Sequence, residues 1–349
     1  MDADVAVVGY GFSEPWMVCD FRLKREVDLP GATQWCDPRQ PTSVISLGPA
    51  HHRFSFMLDS PDDFDTESDP ALVWRRVARF ISPDEADMVR VATYTFRSLV
   101  ADSWREGRIL LAGDAAHEMP PFLGQGMCSG IRDAQNAAFK LDLVLRGARP
   151  DLLGTYQAER EPHVRAVIEK GIELGRVQTM RDPVAAAERD RALLAQRAAR
   201  QAPAKLRFPG LRGGMLASAP TSGRGELFIQ AIVDDGRRRG LFDEVIGAGF
   251  ALLTAAPLDD ARLRAALRHA GVRVVTLAGP DAVLDVSGAY HRWLEQHGCC
   301  AVAVRPDFYV YGCAVRESEV RALASELLAD LGQEGHAGTV ALPLSTPIS

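Results

Sequence analysis

Residues 108–136, RILLAGDAAHEMPPFLGQGMCSGIRDAQN, hold the side chains of this chain that are best suited to chemistry. The apolar run 109–112 predicts a buried strand, and Asp114 follows at its carboxyl end as a carboxylate that only accepts hydrogen bonds. Gly113 beside it permits close backbone approach. A carboxylate in this place suits the hydroxyl groups of a ligand, so the segment predicts a site for a polar, partly anionic cofactor.

A loop rich in proline and glycine then leads into a helix. The loop covers residues 119–126 (MPPFLGQG), and the helix is expected to begin near Met127. The free amides and the positive dipole end at a helix N-terminus stabilise negative charge that develops on a ligand. Strand, carboxylate, loop and helix start therefore form one continuous candidate site.

This order of elements resembles the second flavin-binding motif of the FAD-dependent aromatic hydroxylases, the p-hydroxybenzoate hydroxylase-like flavoprotein monooxygenases. The sequences GDAAH, GQG and SGIRDAQNAAFKL carry the resemblance, which continues to TYQAER and is nearest to the 3-(3-hydroxyphenyl)propionate and phenol hydroxylases. It implies that Asp114 binds the flavin ribityl chain and that the loop lies beside the isoalloxazine ring. The cofactor-binding residues that it implies here are Gly113, Asp114, Pro120, Gly124, Gln125, Gly126, Met127 and Cys128. Cys128 stands where the family often has asparagine. The alternative is a strand, turn and helix without a ligand, and the length of the resemblance argues against it.

Residues 4–11, DVAVVGYG, predict a buried parallel strand that enters a tight glycine turn, the first half of a dinucleotide-binding fingerprint. Gly9 and Gly11 would be its cofactor-binding residues. Glu14 stands where the third glycine is due, and neither an amphipathic helix nor a ribose-binding acid follows. The chain thus resembles a family member that has lost an internal block with most of the dinucleotide-binding region. An ordinary strand-end turn is the alternative explanation of the glycine pair.

Length and composition predict a globular protein of more than one domain. The chain has 349 residues, 47% of them hydrophobic and 25% charged, with a net charge of -6 and no block of basic residues. This charge pattern argues against nucleic acid as a partner. No apolar run approaches the ~20 residues of a membrane span and no signal peptide is recognisable, so we expect a cytoplasmic protein without membrane contacts. The six cysteines form no CxxC pair and His51-His52 has no further ligand at suitable spacing, so we expect reduced thiols and no metal.

The expected fold is α/β (α+β mixed): a truncated FAD-dependent monooxygenase core with an antiparallel substrate sheet, followed by a thioredoxin-like C-terminal domain. Short alternating strands support the sheet, and strands interleaved with helices at 259–270, 288–297 and 317–331 support the last domain. That domain has no redox CxxC, so we interpret it as structural or as the interface of a homodimer. The expected boundaries are 1–14 for the remnant of the first dinucleotide-binding strand, 15–100 for the substrate sheet, 101–202 for the flavin-binding motif and helices, 203–224 for a linker and 225–335 for the thioredoxin-like domain.

Several side chains outside the motif have a structural and a functional interpretation. Phe54 with Phe56, and Tyr94 with Phe96, share faces of the expected sheet, and we favour core packing over substrate contact for both pairs. A helix at 70–81 is expected before the second pair. An apolar stripe on the helix after Met127 is expected to be buried, and consists of Ile131, Ala134, Ala138, Leu141 and Leu145.

Charged residues further along the chain are expected to have structural roles. Arg132, Asp133 and Arg160 are interpreted as helix-surface or interhelix ion pairs, and Asp151 as the cap of the next helix. Arg305-Pro306-Asp307 is most simply a capped turn between two strands. For His117 we favour a hydrogen bond near the site over catalysis, and no residue can be named as a general base.

The resemblance implies a flavin monooxygenase that hydroxylates a phenolic or other aromatic compound with NAD(P)H and O2. FAD is the expected cofactor, whereas the choice of NADH or NADPH and the identity of the ring stay open. The missing third glycine predicts that FAD binds weakly. The alternative is a non-catalytic remnant that acts in subunit association, and the visible absorption of a bound flavin separates the two.

Overall fold

The computed structural model of this chain describes residues 6–201 and 208–332. They form two compact units, each built from two stretches of chain. The first unit takes residues up to 131 and then 164–208, and the second takes 132–163 and then the residues from 209 onward.

A six-stranded antiparallel sheet dominates the first unit, with the strand order β2-β3-β4-β1-β5-β8. Its strands are β1 (Val7–Leu23), β2 (Ala32–Trp35), β3 (Thr42–Gly48), β4 (His51–Met57) and β5 (Ala86–Ala101), then β8 (His117–Glu118) after the small hairpin of β6 (Arg105–Glu106) and β7 (Ile109–Leu110). The helices that begin in this unit are α1 (Phe64–Glu67), α2 (Pro70–Val77), α3 (Gly126–Leu145) and α5 (Pro183–Ala198). The expected antiparallel sheet is thus confirmed.

One face of this sheet forms the core of the first unit. Buried side chains from β1, β3 and β4 pack there against Val73 and Val77 of α2. The helix begins where expected because Asp69 accepts hydrogen bonds from the amides of residues 71 and 72 and Pro70 occupies its first position. Phe54 and Phe56 lie in this core, at 0% and 1% exposure, which confirms core packing for that pair.

The N-terminal strand differs from the expectation. Residues 7–23 form one antiparallel strand that runs through the expected boundary at residue 14, with an irregularity between Gly9 and Ser13. Val7 is 57% exposed and pairs with Ala101 of β5, so the prediction of a buried parallel strand is wrong. A parallel strand needs neighbours and covered faces on both sides, and here β5 supplies an antiparallel partner instead.

The second unit contains a three-stranded sheet, β10-β9-β13, and a four-stranded sheet, β12-β11-β14-β15. In the latter, β11 is parallel to β12 and antiparallel to β14, which pairs antiparallel with β15. The strands are β9 (Ile232–Asp234), β10 (Arg239–Leu241), β11 (Ala251–Thr254), β12 (Arg273–Thr276), β13 (Leu284–Asp285), β14 (Ala301–Val304) and β15 (Val310–Ala314). The long helix α4 (Gly154–Gln178) begins in the second unit and ends in the first. The later helices of the second unit are α6 (Phe242–Ile246), α7 (Ala261–His269), α8 (Ala289–His297) and α9 (Glu317–Asp330).

The interleaved strands and helices expected in the C-terminal region are confirmed, and the thioredoxin-like assignment stays a prediction. The expected linker falls partly outside the described residues, and its described part, 208–224, contains no helix or strand. The six cysteines are free and are buried or half-buried.

The buried face of α3 is polar, contrary to the expected apolar stripe. Ile131 is 52% exposed and Leu145 is 86% exposed, whereas Asp133, Asn136 and Lys140 are fully buried. The spacing of apolar residues identified a stripe on the helix. The buried side of the helix is instead the one that packs against other parts of the chain. Those partners are the charged groups of α4 and of the turn after β14.

A cluster of four buried charges, Lys140, Glu159, Arg305 and Asp307, ties α3 and α4 to the strands of the second unit. Arg305 donates to Glu159 Oε2 and to Asp307 Oδ2, each at 2.7 Å, and also to the carbonyl oxygen of Met215 at 2.9 Å. Lys140 Nζ lies 2.9 Å from the same Glu159 oxygen. The segment 305–307 is therefore more than the capped turn expected from the sequence.

Burial and neighbouring charge act against each other in this cluster. Burial lowers the pKa of Lys140 to about 8, although Glu159 opposes the shift. Burial would raise the pKa of Glu159, but Arg305 and Lys140 outweigh it and hold that pKa below its usual value. Two cations and two carboxylates thus compensate each other where water does not reach.

A second buried ion pair joins the two long helices. Arg160 Nε of α4 donates to Asp133 Oδ1 of α3 at 2.8 Å, and both side chains are at most 1% exposed. The interhelix pair expected from the sequence is confirmed, in the interior rather than on the surface. Asp151 does not cap α4, because residues 150–153 form a 3-10 turn and α4 begins at Gly154.

Candidate functional site

Asp114 lies in an exposed turn rather than at the end of a buried strand. The strand before it, β7, has two residues and pairs only with β6, and Ile109 is 45% exposed. The expectation of a buried strand is therefore wrong, because a two-residue hairpin strand cannot bury both its faces. Gly113–Ala115 form a 3-10 turn that leaves the Asp114 side chain at the surface.

Gly113 and Gly130 bring this turn against the first turns of α3. Gly113 adopts a φ of +58°, a left-handed conformation that favours glycine. A Cβ atom added to Gly130 would lie 3.3 Å from the Cα atom of Gly113, closer than ordinary packing allows. Gly130 is a residue that sequence reasoning missed, and only the fold reveals that a Cβ at this position would press on the backbone of Gly113.

The loop that follows has the expected proline and glycine geometry. Pro121–Leu123 form a 3-10 turn that ends at Gly124, whose φ is +62°. Helix α3 then begins at Gly126, as the sequence predicted to within one residue. Pro120 is buried against Gly171 of α4, where a Cβ would meet it at 3.7 Å. The structure thus places Gly113, Asp114 and the residues Pro120, Gly124, Gln125, Gly126, Met127 and Cys128 in one continuous region around the start of α3.

Gly9 and Gly11 lie in strand β1. Gly9 pairs with Leu99 of β5, whose other partner is Glu118 of β8. Gly11 has a φ of +70° at the irregularity of the strand, and the chain continues as a strand rather than as a helix. No helix N-terminus follows this glycine pair, as expected from the sequence, so these residues lack the phosphate-binding arrangement of a complete fingerprint.

A cavity of about 640 Å³ opens on the face of the sheet opposite to the core. The pairing register of the strands explains which residues line the cavity. Trp16 of β1 lies opposite Tyr94 of β5, and Val18 of β1 lies opposite Ser55 of β4. Ser43 of β3 lies opposite Ser55 and, on its other side, opposite Gln34 of β2. The lining residues of β1, β3, β4 and β5 share one parity along each strand, so they lie on the same face of the sheet. The remaining wall comes from the loop, through Pro121, Phe122 and Gly124.

Aromatic rings form a continuous row along this wall. Phe96 stacks on Trp16 at a centroid distance of 5.7 Å and on Tyr94 at 6.5 Å. Phe122 meets Trp16 edge-on at 5.9 Å and Phe12 at 5.6 Å. The prediction of core packing for Tyr94 and Phe96 is wrong, since both line the cavity. Apolar walls with a few polar groups are typical of sites for small aromatic molecules.

The polar groups of the cavity are cationic or neutral. Arg53 binds Asp20 through two hydrogen bonds of 2.7 and 2.9 Å, and this contact raises the pKa of Arg53. Arg90 lies on the other side of Asp20 in the register and donates to the hydroxyl of Tyr94. Sequence reasoning missed Trp16, Arg53 and Arg90, although the alternation of β1, β4 and β5 contained the signal.

The glycine at position 175 determines where Phe122 can lie. A Cβ at Gly175 of α4 would approach the Phe122 ring to 2.5 Å and the Phe12 ring to 3.2 Å. We expect Gly175→Ala to lower the free energy of unfolding by about 1–3 kcal/mol, because Phe122 is held between Trp16 and Phe12 and cannot move aside freely. The measurement is the denaturation midpoint in urea.

Gly171→Ala on the same helix is the matched control. Its Cβ would meet Pro120 at 3.7 Å, an ordinary contact, and alanine favours the helix. We therefore expect Gly171→Ala to be neutral or stabilising. Equal destabilisation by both substitutions would contradict the role given to Phe122.

The candidate site fits one end of a flavin cofactor and not the other. Asp114 and the start of α3 provide an acceptor for hydroxyls and free amides for an electron-rich ring, beside a close backbone crossing of Gly113 and Gly130. The segment with Gly9 and Gly11 provides no helix N-terminus for a pyrophosphate. The described residues therefore suit the isoalloxazine and ribityl end better than the nucleotide end.

Comparison with known proteins finds similarity to FAD-dependent hydroxylases. A family model described as "FAD binding domain" matches residues 36–171, and one described as "HcaD C-terminal domain" matches residues 225–330. A probable NADH-specific resorcinol 4-hydroxylase of Rhodococcus jostii (strain RHA1) is 48% identical over 330 residues, which cover 92% of this chain and 61% of that protein. A 3-(3-hydroxy-phenyl)propionate/3-hydroxycinnamic acid hydroxylase of Mycolicibacterium gilvum (strain PYR-GCK) is 36% identical over 87% of this chain and 58% of its own length.

The chain thus spans about three fifths of the length of these curated relatives. The first alignment has 330 positions for 92% of 349 residues, which leaves little room for gaps. The rest of the relative therefore lies outside the aligned stretch, and the expected loss of a block near the N-terminus stays a prediction.

Solved structures show the same fold. The flavin-dependent monooxygenase PieE in complex with FAD and substrate matches with a TM-score of 0.75 at 23% identity, over 94% of this chain and 67% of that one. A ternary complex of aklavinone-11 hydroxylase with FAD and aklavinone matches with a TM-score of 0.70 at 20% identity, over 93% and 64%. From the family models, the relatives and the site around the start of α3, we conclude that this chain is similar, over the part that it spans, to the FAD-dependent aromatic hydroxylases.

Proposed function

We propose that this chain takes part in the FAD-dependent hydroxylation of a phenolic compound with NAD(P)H and O2. One observation carries the proposal: the loop that resembles the flavin-binding loop of the family is also the wall of the aromatic cavity, through Pro121, Phe122 and Gly124. A ring held in that cavity lies next to the candidate flavin region. This adjacency is what transfer of an oxygen atom to the ring requires.

The chain's own residues would bind, orient and shield the reactants. Asp114 would accept hydrogen bonds from the ribityl hydroxyls, and the amides at the start of α3 would stabilise negative charge on the reduced ring system. Trp16, Phe96 and Phe122 would orient the substrate ring and exclude water from it. The bound flavin supplies the oxygen-activating chemistry.

The names of the relatives suggest a class of substrate and a reductant for the proposed reaction. One is named as an NADH-specific resorcinol hydroxylase and others as hydroxylases of 3-hydroxyphenyl acids. We therefore propose a phenol as substrate and NADH as reductant. The homodimer expected from the sequence is a further proposal, and light scattering after gel filtration tests it.

The non-catalytic alternative predicts a colourless protein, whereas the proposed function predicts visible flavin absorption when FAD is added. Because Gly9 and Gly11 offer no phosphate site, FAD should be weakly held and should dissociate during gel filtration. Each missing charge-assisted contact is worth roughly 1.5–3 kcal/mol, or about one to two decades of affinity. Tight stoichiometric FAD in the purified protein would contradict this expectation.

Asp114→Ala tests the flavin site directly. The loss of an acceptor for the ribityl hydroxyls should weaken FAD binding by about 1–3 kcal/mol, or roughly five- to a hundredfold in Kd. Titration of FAD fluorescence with wild type and variant measures the change. Asp142→Ala, an exposed aspartate near the other end of α3, is the control and should leave Kd unchanged. If FAD binds and Asp114→Ala matches wild type, the site assignment is wrong.

A further inference from the structure

A row of neutral hydrogen-bonding side chains crosses the cavity wall next to the aromatic rings. Gln34 of β2 lies opposite Ser43 of β3, and Ser43 lies opposite Ser55 of β4. All three residues line the cavity. Gln34 is exposed on the edge strand, whereas Ser43 and Ser55 are 9% and 8% exposed. The two serines are therefore the buried part of this row.

Gln178, the last residue of α4, fixes the direction of the Ser43 hydroxyl. Its Nε2 donates to Ser43 Oγ at 2.8 Å, and the Gln178 side chain is fully buried. A serine hydroxyl can accept hydrogen bonds and can also donate its single proton. In the part of the chain that the structure describes, no protein acceptor takes the hydroxyl proton of Ser43 or of Ser55. Ser43 therefore keeps a proton that it can donate to a ligand in the cavity.

The other end of the Gln178 amide makes the contact with Ser43 more informative. Among the described residues, Gln178 Oε1 is buried and has no hydrogen-bond partner. A buried polar atom without a partner costs stability, and an apolar side chain of the same length would avoid that cost. The amide is kept here although its side chain makes one hydrogen bond, to Ser43. This indicates that the orientation of Ser43 matters for function.

The spacing of the two serines suits one oxygen atom of a ligand. Residues directly opposite each other on neighbouring strands have Cβ atoms about 4.5–5.5 Å apart. A hydrogen bond between hydroxyls spans about 2.7–2.8 Å, so a single oxygen between Ser43 and Ser55 can bond to both. Ser55 lies opposite Val18, and Trp16 lies two residues away from Val18, which is about 7 Å along β1. One benzene ring with its hydroxyl covers this distance.

We infer that Ser43 and Ser55 bind the hydroxyl group of the aromatic ring, with Gln178 as the positioning residue. Ser43 donates to the ring oxygen, and Ser55 accepts the proton of that oxygen. The inference rests on the proposed function, because it assumes that the cavity holds the ring. The pair recognises an oxygen that both accepts and donates. An amino group on the same ring fits it less well, because the nitrogen lone pair is delocalised into the ring and accepts poorly from Ser43.

The test compares phenol with aniline, which have nearly the same shape and are uncharged at neutral pH, by calorimetric titration of the full chain. We expect wild type to bind phenol about two- to tenfold more tightly, the range for one neutral hydrogen bond. Ser43→Ala should remove this preference by weakening the binding of phenol, and should leave aniline binding unchanged.

Gln178→Met tests the positioning role. Without the amide the Ser43 hydroxyl can rotate and accept from an amino group, so phenol should bind less tightly and aniline more tightly than in wild type. A side chain that merely supports the fold would not shift the two ligands in opposite directions. Equal weakening of both ligands by Gln178→Met would overturn the positioning role.

Ser46→Ala is the matched control, because Ser46 lies on the same strand outside the cavity lining and donates to the carbonyl oxygen of Gly48 at 3.2 Å. It should keep the full preference for phenol. Equal binding of phenol and aniline by wild type, or a preference that survives Ser43→Ala, overturns the inference and leaves the aromatic cavity as the substrate site. Binding of neither ligand overturns both the inference and that site.

Discussion

Glu159→Gln is expected to lower the free energy of unfolding by about 3–5 kcal/mol, one of the two largest effects that we predict. Glu159 Oε2 lies 2.7 Å from Arg305 and 2.9 Å from Lys140, and all three side chains are fully buried. Glutamine keeps the size of the side chain but removes its charge. Two buried cations would then face a single carboxylate, Asp307, without water to screen them.

Urea denaturation followed by circular dichroism measures this loss. Glu173→Gln is the matched control, since Glu173 lies on the same helix and its ion pair with Lys170 is exposed. Exposed pairs contribute little, so the control should change stability by less than about 0.5 kcal/mol. Comparable losses in the two variants would show that burial does not determine the strength of the cluster.

The second large effect is expected for Asp133→Asn, again with a loss of about 3–5 kcal/mol. The Asp133 carboxylate accepts from Arg160 Nε at 2.8 Å between α3 and α4, and neither side chain is more than 1% exposed. Asparagine leaves the buried guanidinium of Arg160 without its counter-charge. The same denaturation experiment applies.

Asp142→Asn provides the comparison for this variant. Asp142 lies on the same helix and pairs with Arg146 at the surface, where water screens both charges. It should retain nearly the stability of wild type. An Asp133→Asn protein as stable as the Asp142→Asn protein would contradict a structural role for the buried pair. FAD titration of both variants then separates loss of fold from loss of cofactor binding.

Much of the candidate site could be predicted because its parts are local in the sequence. Gly113, Asp114, the proline and glycine loop and the helix start follow each other within about fifteen residues, and turn chemistry depends on neighbouring residues. The start of α3 followed from the same local rules, and the cap of α2 by Asp69, which was not predicted, obeys them as well. The antiparallel sheet followed from period-two alternation between turn residues.

What the sequence could not determine depended on partners that are distant along the chain. Spacing identified an apolar stripe on α3, but the buried side of that helix is the one that meets Glu159, Arg160 and Arg305. The tripeptide 305–307 resembles a turn until the carboxylate of α4, 146 residues away, is placed beside it.

The cavity shows the same limit. Alternation predicts that Tyr94 and Phe96 share a face, but only the pairing of β5 with β1 decides that this face is the cavity wall and not the core. Likewise, Gly9 and Gly11 have the spacing of a nucleotide fingerprint, and antiparallel pairing with β5 gives them another structure. The sequence by itself determined the local motif and the resemblance to FAD-dependent aromatic hydroxylases, because both are encoded in neighbouring residues. The tertiary structure alone decided which faces are buried and which charges meet, because those depend on long-range pairing.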